Sequence, residues 1–136
     1  ALRGRMPFPV PSGFISDHFG VHKHPLLKGV MINNNGIDIG APRNTQVRAV
    51  FQGEVTSVLN IPGAGKVIII KHGNYRTVYS NLQDVYVSVG TSVGTKQAIG
   101  SLLSDSDGGL STAHFEIHQV INGTVQRINP TLWLAQ

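Results

Sequence analysis

The chain has 136 residues, no cysteine and a formal net charge of +4, with 40% hydrophobic and 13% charged residues. A domain of this size buries a substantial core without disulfide bonds, and the lack of cysteine excludes thiol catalysis, cysteine–zinc fingers and iron–sulfur ligation. The basic residues are scattered, which argues against a nucleic-acid-binding surface. No apolar stretch approaches the ~20 residues of a transmembrane helix.

The first third of the chain is rich in proline and histidine. Three prolines in residues 1–12 predict an extended N-terminal lead-in, followed by one folded domain over residues 13–136. Residues 17–35 are predicted to form a long irregular loop that carries His18, His22 and His24. We favour surface positions for these histidines, although His22 and His24 have a spacing that two metal ligands on one strand could use.

The rest of the sequence indicates a mainly β, antiparallel domain. Short runs rich in Val, Ile and Thr are broken by Gly, Asn, Asp or Pro, which is typical of strands and turns. Strands are predicted at 36–39, 46–50, 53–59, 66–71, 75–80, within 84–103, and at 113–121 and 124–128. Asn122-Gly123 predicts a type I′ hairpin turn, residues 104–109 a loop, and Asn129-Pro130 a short terminal helical turn. His72 is predicted to be structural, and His118 to be exposed.

Alternation places residues 112, 114 and 116 on one face of their strand, and Phe115 and Ile117 on the other. The first set is expected to line a groove and the second to enter the core.

Three segments carry a resemblance to a known family: Asn34-Asn35-Gly36-Ile37-Asp38, Tyr79-Ser80-Asn81-Leu82 and Thr112-Ala113-His114-Phe115-Glu116. In order and spacing they resemble the motifs of the LytM, or lysostaphin-type, zinc metallopeptidases. The resemblance spans about residues 13–134. It implies an antiparallel, sandwich-like β domain whose long loops form a groove.

Active members of that family have His-x-Gly-x-Asp, Tyr-x-His-Leu and His-x-His-Phe-Glu at these places. The resemblance therefore makes Asn34, Asp38 and His114 the former zinc-ligand positions, and puts Asn81 and Thr112 where two histidines assist catalysis. An amide oxygen is a weak zinc donor, and neither Asn nor Thr exchanges protons near neutral pH. We expect no catalytic residues and no tightly bound zinc or other cofactor.

The resemblance is strongest to the degenerate LytM domains of murein hydrolase activators. It implies a non-enzymatic domain of the periplasm or cell envelope, exported by a signal upstream of this segment, that activates a peptidoglycan amidase in cell division. The expected groove residues are Asn34, Asp38, Tyr79, Asn81, Thr112 and His114, with Arg43, Arg48, Lys66 and Arg76 as candidate rim charges.

Two other interpretations stay open. The domain could bind peptidoglycan without cleaving it, or it could be a zinc endopeptidase whose site is rebuilt with His18 or His24. No nucleic-acid partner and no membrane span are expected in any of the three.

Overall fold

The computed structural model describes residues 3–24, 26–104 and 109–135, and nearly all regular structure in them is β. The elements, in chain order, are β1 (Phe14–Asp17), β2 (Gly20–Lys23), β3 (Met31–Asn34), β4 (Ile37–Pro42), β5 (Gln46–Arg48), β6 (Gly53–Ile61), β7 (Gly65–His72), β8 (Tyr75–Val85), β9 (Ser92–Val93), β10 (Ala98–Leu102), β11 (Leu110–Ile121), β12 (Thr124–Ile128) and a 3-10 turn (Pro130–Leu132). No helix in these ranges is long and apolar enough to cross a membrane.

Ten of the strands form one antiparallel sheet. Its main path runs β1-β4-β11-β8-β7-β6-β9, while β12 pairs with β11, and β10 pairs with both β8 and β5. The mainly β, antiparallel fold predicted from the sequence is confirmed.

Two long strands let this sheet fold over itself. One edge of β11 pairs first with β4, through residues 110–115, and then with β12, through residues 117–121. Strand β8 changes direction at Asn81, whose backbone has a φ of 67°, and its last residues pair with β10. The sheet therefore has two regions that face each other, which gives the sandwich-like shape.

The core lies between these regions. It contains aromatic residues from the central strands, with the rings of Tyr79 and Phe115 5.3 Å apart, and branched aliphatic residues around them. The N-terminal segment contributes too, because Met6 and Val10 are buried. Met6 pairs with Leu134, so the two ends of the domain close on each other.

The prediction of an irregular loop over residues 17–35 is wrong. Strands β2 and β3 form a separate two-stranded antiparallel sheet there, and β1 pairs with β4. Burial alternates along both strands, since His22 and Ile32 are opposite each other and half-buried while their neighbours are exposed. Polar and apolar residues are mixed on both faces, which hid this pattern.

Several local predictions are confirmed. Asn122 and Gly123 both have positive φ, as a type I′ turn requires. The terminal 3-10 turn begins after Asn129, whose side chain accepts a hydrogen bond from the Thr131 N–H. His72 is structural, with its ring nitrogens 2.7 Å from the Gln52 carbonyl and from the Thr77 hydroxyl. Residues 105–108 of the predicted loop lie outside the described residues.

Candidate functional site: a two-sided groove

Strand β11 supplies one side of a groove of about 480 Å³. Every second residue from Thr112 to His118 lines it, whereas Ala113, Phe115 and Ile117 are buried in the core. The predicted division of this strand into a groove face and a core face is confirmed.

The other side of the groove is apolar. Strands β6 and β7 contribute Leu59, Ile61, Val67 and Ile69, and β8 adds Val78. Leu59 and Ile61 are 44% and 41% exposed, so this side presents hydrophobic surface to solvent. It was not predicted from the sequence. The sequence feature that could have indicated it is Leu59-Asn60-Ile61, where alternation near the end of a strand puts two apolar side chains on the same face.

His114 is held between two carboxylates at the polar side. Its Nδ1 lies 2.6 Å from Asp38 Oδ1, and its Nε2 lies 2.7 Å from Glu116 Oε2. A carboxylate can only accept, so both ring nitrogens must carry a proton. The hydrogen bonds to Asp38 and then Glu116 raise the pKa of His114 to about 9 despite partial burial. His114 is an imidazolium cation at neutral pH.

Glu116 joins this cation to further basic groups. Its other oxygen lies 2.7 Å from His118 Nε2 and 3.5 Å from Arg127 Nε. Hydrogen bonds from His114 and then His118 hold the Glu116 pKa far below its ordinary value. The prediction that His118 is simply exposed is wrong, since only 18% of its side chain is accessible.

Gly36 brings Asp38 opposite His114. A β-carbon at position 36 would overlap the Phe115 carbonyl on β11, so only glycine lets the chain enter β4 this close to that strand. The pairing of β4 with β11 then places Asp38 directly across from His114.

Asn34 does not line the groove in the described structure, which corrects the sequence prediction. It is buried, its Nδ2 donates to Asp17 Oδ2, and its Oδ1 accepts from the Gly36 N–H, each at 3.1 Å. Both polar atoms of its amide are used to fix the turn between β3 and β4. Asp38 lies beside the groove, through its contact with His114, rather than among the lining residues.

Asn81 and Thr112 do line the groove, and a hydrogen bond joins them. Asn81 Nδ2 donates to the Thr112 carbonyl at 2.5 Å, and the backbone N–H of Asn81 donates to the Ala64 carbonyl. Asparagine tolerates the left-handed backbone that bends β8 at this point. The amide thus ties β8 to β11 across the end of the groove.

Tyr79 is a second correction, because it is 1% exposed and lies in the core. Alternation from Asn81 would put Tyr79 in the groove. The left-handed backbone at Asn81 breaks that alternation, so Ser80 and Asn81 both line the groove and Tyr79 faces away. Its hydroxyl accepts from the Val50 N–H and contacts Thr77.

Of the candidate rim charges, Arg48 and Arg76 have other roles. Arg48 Nε donates to the Phe8 carbonyl, and Arg76 Nη1 donates to the Gly73 and Tyr75 carbonyls. Within the described residues, neither they nor Arg43 and Lys66 line the groove.

The donor set fits a catalytic zinc ion poorly. Both nitrogens of His114 face carboxylates, and Asn34 offers only an amide oxygen, a weak zinc donor that already accepts a backbone hydrogen bond. His22 lies 2.8 Å from Asp17, and His24 accepts from two backbone N–H groups. Across residues 3–24, 26–104 and 109–135, no three His, Asp or Glu side chains are arranged to hold a metal ion.

Comparisons with known proteins identify the family. The peptidoglycan DD-endopeptidase ShyA of Vibrio cholerae is 34% identical over 119 residues, covering 85% of this chain and 27% of ShyA. The murein hydrolase activator EnvC of Escherichia coli is 32% identical over 102 residues, covering 74% of this chain and 23% of EnvC. The structure of Helicobacter pylori Csd3 superposes with a TM-score of 0.76 at 26% identity, covering 96% of this chain and 35% of that one.

The chain spans about a quarter of the length of these two curated relatives. One of them is named as an endopeptidase and the other as an activator, so membership of the family does not by itself decide whether a domain is catalytic. Peptidase family M23 matches residues 32–130, most of the chain, which confirms the LytM-type resemblance: the chain belongs to peptidase family M23.

Proposed function

We propose that this chain is a non-catalytic M23 domain that binds a segment of a peptidoglycan amidase in its groove and thereby activates the amidase. The relative named as a murein hydrolase activator supports this role, and supports a location in the periplasm or cell envelope.

The observation that carries the proposal is the way the former active-site positions are used. Asn34, Asn81 and His114 have their side-chain donors or acceptors committed to neighbouring protein groups. Thr112 and Asn81 cannot act as a general acid or base near neutral pH. Zinc binding and proton transfer are therefore weakened by separate substitutions, which supports a domain without tightly bound zinc and without peptidase activity.

The two unlike sides of the groove suit an amphipathic occupant. A helix or strand with one apolar face could pack against Leu59 and Ile61 while its polar face meets Glu116 and His118 on β11. If that segment otherwise blocks the amidase active site, its capture in the groove shifts the amidase toward the open state.

A dye-release assay on labelled sacculi tests the proposal, with a purified N-acetylmuramoyl-L-alanine amidase in the presence and absence of the domain. We expect stimulation by the wild-type domain and at least a tenfold loss of it in Thr112→Arg, since the new side chain would fill the groove. Thr124→Arg is the matched control, because Thr124 is exposed on β12 and outside the groove. Circular dichroism confirms that both variants fold.

Two results would replace the proposal. Sedimentation with sacculi without stimulation of the amidase would identify a peptidoglycan-binding module. Release of cross-link cleavage products by the domain alone, abolished by a zinc chelator, would identify an endopeptidase.

A further inference from the structure

The hairpin of β2 and β3 has an unusual concentration of exposed apolar side chains. Leu26 is 88% exposed, Val21 66%, Met31 56%, Leu27 55% and Val30 42%. Val21 and Met31 lie on the outward face of the hairpin, and the other three lie at its tip. Leu27, Val30 and Met31 line one concavity, and exposed apolar side chains grouped in this way usually mark an interaction surface.

Hydrogen bonds within the hairpin define the shape of its tip. The His24 ring accepts hydrogen bonds from the N–H groups of Leu26 and Leu27, each at 3.0 Å. The His24 backbone N–H donates to Val30 at 2.8 Å, which closes the turn. At its base the hairpin is tied down by Asp17, which contacts both His22 and Asn34. The local hydrogen bonds thus hold the leucines outward.

The charge of this region is of one sign. Lys23 and Lys28 are exposed and line a small concavity of about 350 Å³ together with Leu27, Val30 and Met31. The sequence has no acidic residue between Asp17 and Asp38. An anionic bilayer surface matches both properties, because apolar side chains enter the acyl region while lysines reach the lipid phosphates.

We propose that the tip of the β2–β3 hairpin, residues 21–24 and 26–31, inserts into the surface of a membrane containing anionic lipids. The tip projects its apolar side chains outward, whereas a segment of another protein is usually gripped in a cleft such as the groove on β11. Insertion of the hairpin is independent of the groove and of the amidase.

The test is co-sedimentation of the domain with vesicles of phosphatidylglycerol and phosphatidylcholine, compared with vesicles of phosphatidylcholine alone. We expect binding to the anionic vesicles that weakens as salt is raised, and at least tenfold weaker binding to the neutral ones. Lys23→Gln/Lys28→Gln should lower the partition coefficient on the order of 30-fold, as expected for two lysines near an anionic surface. Leu26→Ser/Leu27→Ser should lower it at least tenfold.

Matched controls use exposed residues elsewhere. Val89→Ser/Leu132→Ser removes two exposed apolar side chains, and Lys71→Gln/Lys96→Gln removes two exposed lysines. Both controls should bind like the wild type. If the leucine variant does not fold, the lysine variant carries the test alone.

Equal binding to anionic and neutral vesicles, or no binding to either, would overturn the proposal. Loss of binding in the controls as large as in the hairpin variants would also overturn it. If the hairpin is required for binding to a protein or to sacculi and the domain does not bind vesicles, the membrane proposal is wrong and that partner is the ligand of the hairpin.

Discussion

Two chains of side-chain hydrogen bonds lie on opposite faces of the same sheet, one on β7 and β8 and the other on β4 and β11. On the core face, His72, Thr77 and Tyr79 are linked at 2.7 and 2.9 Å, and the series ends at the Gln52 carbonyl and the Val50 N–H. On the groove face, Asp38, His114, Glu116 and His118 are linked at 2.6, 2.7 and 2.7 Å.

The core chain is neutral. Burial lowers the pKa of His72 and raises that of Tyr79 to about 12. A neutral imidazole has one N–H, and the Gln52 carbonyl can only accept, so the proton of His72 is on Nδ1. Nε2 lies 2.7 Å from the Thr77 hydroxyl, which in turn donates to the Tyr79 hydroxyl.

The groove chain is ionic, since the partners of His114 are carboxylates rather than carbonyl and hydroxyl groups. The same residue type thus has opposite properties on the two faces of one sheet, because burial favours the neutral form of His72 while two carboxylates favour the charged form of His114. The core chain fixes structure. The groove chain leaves partly accessible charges in the same groove as an apolar surface, as a docking groove needs.

The largest expected contrast is between two residues of β11 that lie on its opposite faces. Phe115→Ala should lower the free energy of unfolding by about 3–5 kcal/mol, because it leaves a cavity beside Tyr79. Thr112→Ala, on the exposed groove face, should change it by less than about 0.5 kcal/mol. Urea unfolding measures both, and similar losses would contradict the assignment of the two faces.

Removal of one hydroxyl tests the core chain. Tyr79→Phe should lower the free energy of unfolding by about 1–3 kcal/mol, because the buried Val50 N–H loses its hydrogen-bond acceptor. Tyr86→Phe is the control, since Tyr86 is 49% exposed and should change stability by less than about 0.5 kcal/mol. Equal effects of the two substitutions in urea unfolding would show that the hydroxyl of Tyr79 is not structurally required.

The two histidines should respond to pH with opposite signs. The pKa of His114 is raised to about 9, so its stabilising contribution is full below about pH 6.5 and is lost as the pH rises toward 9. The pKa of His72 is lowered, so its contribution is full above about pH 6.5 and is lost as the pH falls below that value.

Histidine ring resonances followed by NMR report both titrations, and unfolding of His114→Gln and His72→Gln against pH reports the linkage. Each variant should flatten the pH dependence of stability only in its own range. A His114 that titrates near its ordinary value of 6.5 would contradict the ionic character of the groove chain.

The smallest effect is expected at the outer end of the groove chain. Arg127 is half-exposed, and its Nε lies 3.5 Å from Glu116 Oε1. Arg127→Gln should therefore lower the free energy of unfolding by no more than about 0.5 kcal/mol, and by less in high salt. If urea unfolding shows that the substitution lowers the free energy of unfolding by more than about 1 kcal/mol, Arg127 is an integral member of the groove chain rather than a solvent-screened surface charge beside it.

The fold could be predicted where one local signal decides it. Period-2 alternation sorts β11 into its two faces, and Asn122-Gly123 specifies its hairpin turn. Local signals fail where a strand departs from regular geometry. The resemblance places Tyr79 in the groove, but its side chain lies in the core, and no sequence rule predicts the left-handed backbone at Asn81 that breaks the alternation between them.

Pairings distant in sequence also escape prediction. The contact of Asp38 with His114 spans 76 positions and depends on the close approach that Gly36 allows. The motifs in the sequence identify the former active-site positions. They do not show that the Asn34 amide contacts Asp17, or that side chains of β6 and β7 line the groove, because both depend on the folded chain.

The most direct test of the central claim is a muropeptide analysis of purified sacculi after incubation with the domain and zinc, with the amidase alone, and with the domain plus the amidase. The account predicts no cleavage by the domain alone. It also predicts more peptides released from the glycan strands when the domain and amidase are combined than with the amidase alone. Chelator-sensitive cleavage of peptide cross-links by the domain alone would contradict it.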